Sequence, residues 1–206
     1  MLNKYVNLEL NGKKYIIYGT VRGLLDEEND MEKLYKEFAP DLILVGIPDS
    51  ELNGLFEYLK EPFMVDLSDY EIIYGIKLQK FGKVKLPVPS YLKAAEISRR
   101  ENIKIIPIDI PENDFSQIYT KKISTFMLIR HSLRKKRLYK KRFKASTPEE
   151  FSILWDKEIT KISGFKELEN EREKYMAKKI KENIIGKKIL VVVDYERMEG
   201  IISYLI

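Results

Sequence analysis

The sequence predicts an α/β fold with a mixed, largely parallel central sheet flanked by helices. Three observations lead there. Short unbroken apolar runs such as Leu42-Ile43-Leu44-Val45 and Ile189-Leu190-Val191-Val192-Val193 read as strands buried on both faces, which a parallel sheet between helical layers requires. Helical patterns separate these runs. A chain of 206 residues with 44% hydrophobic content is long enough for one well-covered core.

Taken in order, Tyr5 to Leu10 and Lys14 to Gly19 flank Asn11-Gly12, a dipeptide suited to the positive φ angles of a tight hairpin turn. Met31, Leu34, Tyr35 and Phe38 recur at helical spacing over Asp30 to Phe38, before Pro40-Asp41 and the strand at 42–47. Helices are predicted at Ser50 to Leu59, Asp69 to Lys80 and Pro89 to Arg100, the last with an early proline. Ile103 to Ile108 is the next buried strand.

From Asp114 onward the pattern is helical: one long helix to Lys144, a second from Thr147 to Ile162, and a third from Lys166 to Ile184. Phe165, Leu168, Tyr175, Met176, Ile180 and Ile184 form the apolar stripe of the third, while Phe151, Trp155 and Ile159 are core candidates in the second. Lys188 to Val193 returns to the sheet and Glu196 to Leu205 closes as a short helix. The reading is one domain, with residues 1–112 and 186–206 forming the sheet and 113–185 a helical insertion.

Composition excludes several chemistries. With no cysteine there is no disulfide, thiolate nucleophile or cysteine-ligated zinc, and His131 is the single histidine, set among cations without a carboxylate partner. Gly82-Lys83 lacks the glycine spacing and the following Ser or Thr of a phosphate loop. No segment is apolar enough to span a bilayer and the N-terminus has no signal core, so the expectation is a soluble, cytoplasmic chain without a cofactor.

The net charge of +5 belongs to one stretch. Eleven of the 37 basic residues lie between Lys121 and Thr147, where there is no acidic residue, so the rest of the chain is acidic by six. Arg134, Lys135, Lys136, Arg137, Lys140, Lys141 and Arg142 are interleaved with Leu138, Tyr139 and Phe143. Three uses suit such a tract: a nucleic-acid backbone bound through residues 134–144, an anionic membrane surface met peripherally, or a solvated face paired with acidic helices such as Glu149-Glu150 or Glu167 to Glu173. The helical insertion is also a candidate surface for a homo-oligomer.

Five motifs in order then resemble the TraB/Tiki family of pheromone-shutdown and metalloprotease-like proteins. They are Gly19-Thr20-Val21-Arg22, Pro40-Asp41 with its apolar strand leading to Gly46, Asp109-Ile110-Pro111, Glu171-Arg172-Glu173-Lys174-Tyr175-Met176, and Arg197-Met198-Glu199-Gly200-Ile201. The resemblance implies an α/β fold in which these segments build the functional cleft. It also implies a metal centre whose two histidines are replaced here by Arg22 and Arg197 and whose glutamate is replaced by Gly46. A guanidinium is always charged and has no lone pair for a metal, so the chain is expected to be a non-catalytic relative. The alternative is a diverged metal-dependent hydrolase using carboxylates such as Asp109, Glu171 or Asp194.

For the cleft itself, Arg22, Asp109, Glu171, Arg172 and Arg197 are the candidates. Two uses stay open: an anion or peptide-like ligand held by converging arginines, or a cleft closed by salt bridges to Asp109, Asp194 or Glu196. Asp109 also has a helix-capping role open to it, and Glu171 with Arg172 is readable as a solvated helix pair.

Overall fold

The computed structural model describes residues 3–206. Among them, β1 (Tyr5–Leu10) and β2 (Lys13–Thr20) form the hairpin, followed by α1 (Glu27–Phe38), β3 (Leu42–Val45), α2 (Asp49–Lys60), α3 (Asp69–Leu78), α4 (Pro89–Glu101) and β4 (Lys104–Pro107). The rest is α5 (Glu112–Lys122), α6 (Thr125–Lys140), α7 (Pro148–Ile159), α8 (Ser163–Lys181), β5 (Lys188–Asp194) and α9 (Tyr195–Leu205). The strands make one mixed sheet in the order β1-β2-β5-β3-β4, antiparallel only between β1 and β2. The α/β class read from the sequence is the observed one.

Local chemistry accounts for the elements. Asn11 and Gly12 both take positive φ, 51° and 71°, and Leu10 pairs with Lys13 across the turn. Because side chains alternate across a strand, Ile16, Tyr18, Ile43, Val45, Leu190 and Val192 face one layer, made by α1, α2 and α4 through Met31, Leu34, Leu52, Leu55 and Tyr91. Ile17, Leu42, Leu44, Ile189, Val191 and Val193 face the other, where Phe151 of α7, Met176 and Ile180 of α8, and Met198 and Ile201 of α9 cover them. Helices α7 and α8, from residues 113–185, thus share one of the two covering layers with α9.

Three elements depart from the sequence reading. The long helix predicted over 114–144 is two helices, since Ile123 turns into the core and Ser124 caps α6 by accepting the Met127 N–H at 3.3 Å. The second of these stops at Lys140 because Phe143 leaves the helical path to pack on Phe151, with ring centroids 5.3 Å apart. At the C-terminal end of α8 the apolar stripe ends early: Ile180 is buried but Ile184 is exposed beyond the helix.

Motif positions also have structural duties. Both Asp41 carboxylate oxygens accept the Lys187 N–H at 2.9 and 3.0 Å, and one also accepts that of Lys188 at 3.1 Å, docking the entry to β5 on the start of β3. At Gly46 a Cβ would lie 3.0 Å from Val193 Cγ1 and 3.3 Å from its Cα, so a side chain at this position requires β5 to give way by a few tenths of an ångström. At Gly200 a Cβ would overlap the Glu173 carboxylate, which allows α8 and α9 to cross closely. Among the described residues no helix is long and apolar enough to cross a membrane.

Candidate functional site

Parallel strands deliver their C-terminal ends to one edge of the sheet, where open α/β folds place their ligand crevices. Here β2 runs into Thr20-Val21-Arg22, β3 into Gly46, β4 towards Asp109, and β5 ends at Asp194. The first turn of α9 adds Glu196 and Arg197, and α8 adds Glu169 and Arg172, three residues apart on one helix face.

These groups form a chain of alternating charge. Arg22 donates to Glu51 at 3.3 Å and to Asp194 at 3.4 Å. Asp194 also accepts from Arg197 at 2.8 Å and from the Tyr91 hydroxyl at 2.9 Å. Arg197 Nε donates to Glu169 at 2.6 Å, Arg172 Nη1 reaches Glu169 at 3.4 Å, and the Arg172 fork closes on both oxygens of Asp109. The order is Glu51, Arg22, Asp194, Arg197, Glu169, Arg172, Asp109, with every cation between two anions.

Burial makes this chain interdependent. Desolvation disfavours the Asp194 charge, yet Arg22 and Arg197 outweigh it and hold its pKa below the ordinary carboxylate value. Glu169 likewise pays for burial, and Arg197 and Arg172 bring it below its usual value. Surrounding carboxyls without such partners go the other way. Burial and neighbouring carboxylates push Glu173 up to about 7 and Asp156 up to about 6, and burial with Asp194 beside it raises Glu196.

Of the five cleft candidates, Arg22, Asp109, Arg172 and Arg197 meet in this cluster. Glu171 does not: it faces Lys122 at 3.8 Å on the outer side of α8. Asp109 does not cap α5, whose N-cap is Pro111; its Oδ1 accepts the Ile110 N–H at 2.7 Å while Arg172 holds the carboxylate. Glu169, Glu51 and Tyr91 belong to the site and went unseen in the sequence; the only local signal was Glu169, three residues before Arg172. Among the described residues no three His, Asp or Glu side chains are grouped to hold a metal ion. A second buried polar cluster sits on the α1 side: fully buried Glu27 accepts from the Tyr18 hydroxyl and from Thr20 Oγ1 at 3.1 Å, with Lys4 at 3.0 Å.

No protein-family model matches this chain, and no curated protein matches it.

Beside the charge cluster lies a cavity of about 640 Å³, bounded by the end of β2, α3, α6, α7 and the first turn of α9. Its wall includes Arg22, Tyr70, Tyr74, Ile76, His131, Trp155, Ile159 and Glu196. Trp155 and Ile159 are thus only partly core residues, a correction to their helical spacing. His131 stacks on Tyr70 with centroids 4.0 Å apart, and burial followed by Arg134 and Lys135 pushes its pKa down to about 4.

The basic tract divides into two faces. Arg134, Lys141 and Lys161 converge on Glu158, where burial is outweighed by Lys141 and Lys161, which bring its pKa down to about 2, and Lys135 pairs with Asp69. The expected acidic helices take part: Glu158 lies on α7 with Glu149-Glu150, and Lys122 meets Glu167 and Glu171 of α8 at 3.0 and 3.8 Å, while Asp69 of α3 is a partner outside that expectation. Arg130, Lys136, Arg137, Lys140 and Arg142 are exposed and form no ion pair with any described residue. On the same outward face of α6 lie Phe126, Ile129 and Leu133, which are 72%, 54% and 77% exposed.

Proposed function

We propose that this chain is a non-catalytic α/β protein, a divergent relative of TraB/Tiki proteins, that associates peripherally with anionic bilayers through α6. The single observation carrying the association is the outward face of that helix. It presents Phe126, Ile129 and Leu133, then Lys136, Arg137 and Lys140, which with Arg130 make no ion pair with any described residue, and no acidic residue interrupts the helix. Each basic residue near an anionic headgroup layer contributes about 1 kcal/mol, and inserted Phe, Ile and Leu side chains add to it.

Two features favour a bilayer over the other partners. A single-stranded nucleic acid needs successive aromatic platforms among the cations, but Phe143 is committed to Phe151, which leaves Tyr139, 55% exposed with Lys77 over its ring, as a lone platform in the tract. A second copy packed about a two-fold axis would set this cationic face against itself. The relationship to TraB/Tiki proteins is supported by the meeting, at one sheet end, of the segments that carry Arg22, Asp109, Arg172 and Arg197. Their arginines, engaged with carboxylates, support a structural use of that end in place of hydrolysis.

Co-sedimentation with vesicles tests the proposal. Retention is expected on phosphatidylserine-containing vesicles, falling with salt, weaker for Leu133→Ser and absent for Lys136→Glu with Lys140→Glu. Equal retention on purely zwitterionic vesicles, or tighter retention on DNA or RNA at the same salt, would overturn it.

A further inference from the structure

We propose that the cavity beneath α3 binds a small planar aromatic anion, with its rings among Tyr70, Tyr74 and Trp155 and its acidic group on Arg22. This goes beyond the bilayer reading and does not depend on it.

The volume, about 640 Å³, suits a ligand of two or three fused or linked rings. Tyr74 and Trp155 meet edge to face with centroids 5.4 Å apart, and both also pack on Phe151. Phe151 is fully buried by this arrangement, whereas Tyr70, Tyr74 and Trp155 are only half-buried and leave ring surface along the cavity. His131 lies in the same wall, and its Nδ1 is the one buried side-chain nitrogen among the described residues without a hydrogen-bond partner.

Arg22 supplies the charge preference. Arg172 grips Asp109 as a fork and Arg197 holds its carboxylates at 2.6 and 2.8 Å, but both bonds of Arg22 are stretched to 3.3 and 3.4 Å. Tight charge-assisted bonds are about 2.7–2.9 Å, so Arg22 is the cluster member with bonding capacity to spare. Its partner Glu51 is about a third exposed and can yield to an incoming acid, while Asp194 stays in place. Glu196, in the same wall, accepts from Ser152 at 3.0 Å, and its raised pKa reduces the negative charge it sets against an anion. Ile72 and Ile76 line both this cavity and the adjoining groove that carries Lys135, Lys136 and Lys140, so an anion approaches past cations.

Trp155 is the only tryptophan, so its emission reports occupancy directly. The probes are 1-anilinonaphthalene-8-sulfonate and N-phenyl-1-naphthylamine, which share an aromatic body and differ by the sulfonate. The expected result is quenching of Trp155 by both, with the sulfonate binding roughly tenfold tighter, a preference erased by Arg22→Gln. Gly75→Leu is the independent variant: Gly75 is in the cavity wall and a Cβ there meets only Val84 Cγ1 at 3.7 Å, so a leucine can start from this position and is expected to occupy part of the cavity and abolish binding of both probes. Equal affinity of the two probes, unchanged Trp155 emission, or undiminished binding to the Gly75→Leu protein would overturn the assignment. Vesicle binding by the Gly75→Leu protein remains intact, so the two proposals fail separately.

Discussion

Asp194→Asn is the most direct test of the alternating charge chain. The substitution keeps the side chain's shape and an acceptor for the Tyr91 hydroxyl, and removes one negative charge from a residue only 1% exposed. Two guanidiniums then lose their shared counter-ion, Arg197 at 2.8 Å and Arg22 at 3.4 Å. Breaking a buried ion pair on one side costs about 3–5 kcal/mol, because the remaining charge stays desolvated. Arg197 keeps Glu169 and Arg22 keeps Glu51, which places the expected loss near the lower end, about 3 kcal/mol. For a chain of this length each kcal/mol moves the melting temperature by about 2–4 °C, so a fall of roughly 6–12 °C is expected at pH 7 by circular dichroism. Arg22→Gln, with its longer bonds, is expected to cost less than Arg197→Gln. A melting temperature within about 2 °C of the parent for Asp194→Asn would refute the view that this cluster holds the sheet end together.

Three further outcomes follow from other contacts. Gly164→Ala places a methyl group on the Lys122 carbonyl oxygen and 2.8 Å from Met127 Sδ; about 1–3 kcal/mol of stability is expected to be lost in urea unfolding, and a neutral result would contradict the close approach of α8 to the α5–α6 break. Glu173, with its folded pKa of about 7 above the unfolded value, binds more protons folded than unfolded, so its contribution declines as pH rises from about 4.5 through 7. Glu173→Gln is therefore expected to raise stability at pH 8 by about 1–2 kcal/mol after allowance for its partial exposure, with a smaller gain at pH 5; an equal change at both pH values would contradict the assignment. Ser68 caps α3 with a reciprocal bond to Glu71, so Ser68→Ala is expected to cost about 1 kcal/mol and to speed hydrogen exchange in α3 while leaving the β5 amides protected.

The sheet was legible because its signals are local: the Asn11-Gly12 turn and the apolar runs of β3 and β5 each carry their assignment within a few residues. The break at Ile123-Ser124 was not, since Ile123 fits a continuing helical pattern and only its tertiary burial pulls it off the axis. In the candidate site, Arg22 and Arg197 near strand ends and Arg172 in α8 stood out within their motifs, but most of their partners, Glu51 and Asp194 for Arg22, Asp109 for Arg172 and Glu169 for Arg197, come from other parts of the chain. Glu169 and Glu171 illustrate the difficulty. Two residues apart on a helix they point about 200° from each other, so one enters the charge chain while its neighbour faces Lys122. The cavity was invisible because its walls come from α3, α6, α7 and two strand ends, and the spacing of Trp155 looks the same whether the ring is wholly or half covered.

The position of β5 sets the schedule on which this chain can mature. This strand comes last of the five in chain order yet hydrogen-bonds both β2 and β3, so a ribosome must deliver the residues through Asp194 before the two halves of the sheet can join. Until then the edges of β2 and β3 stand open, and such unpaired strands invite intermolecular association. Folding of this sheet thus waits on a long-range closure, and nascent forms that stop short of Lys188 are the species most in need of chaperone protection.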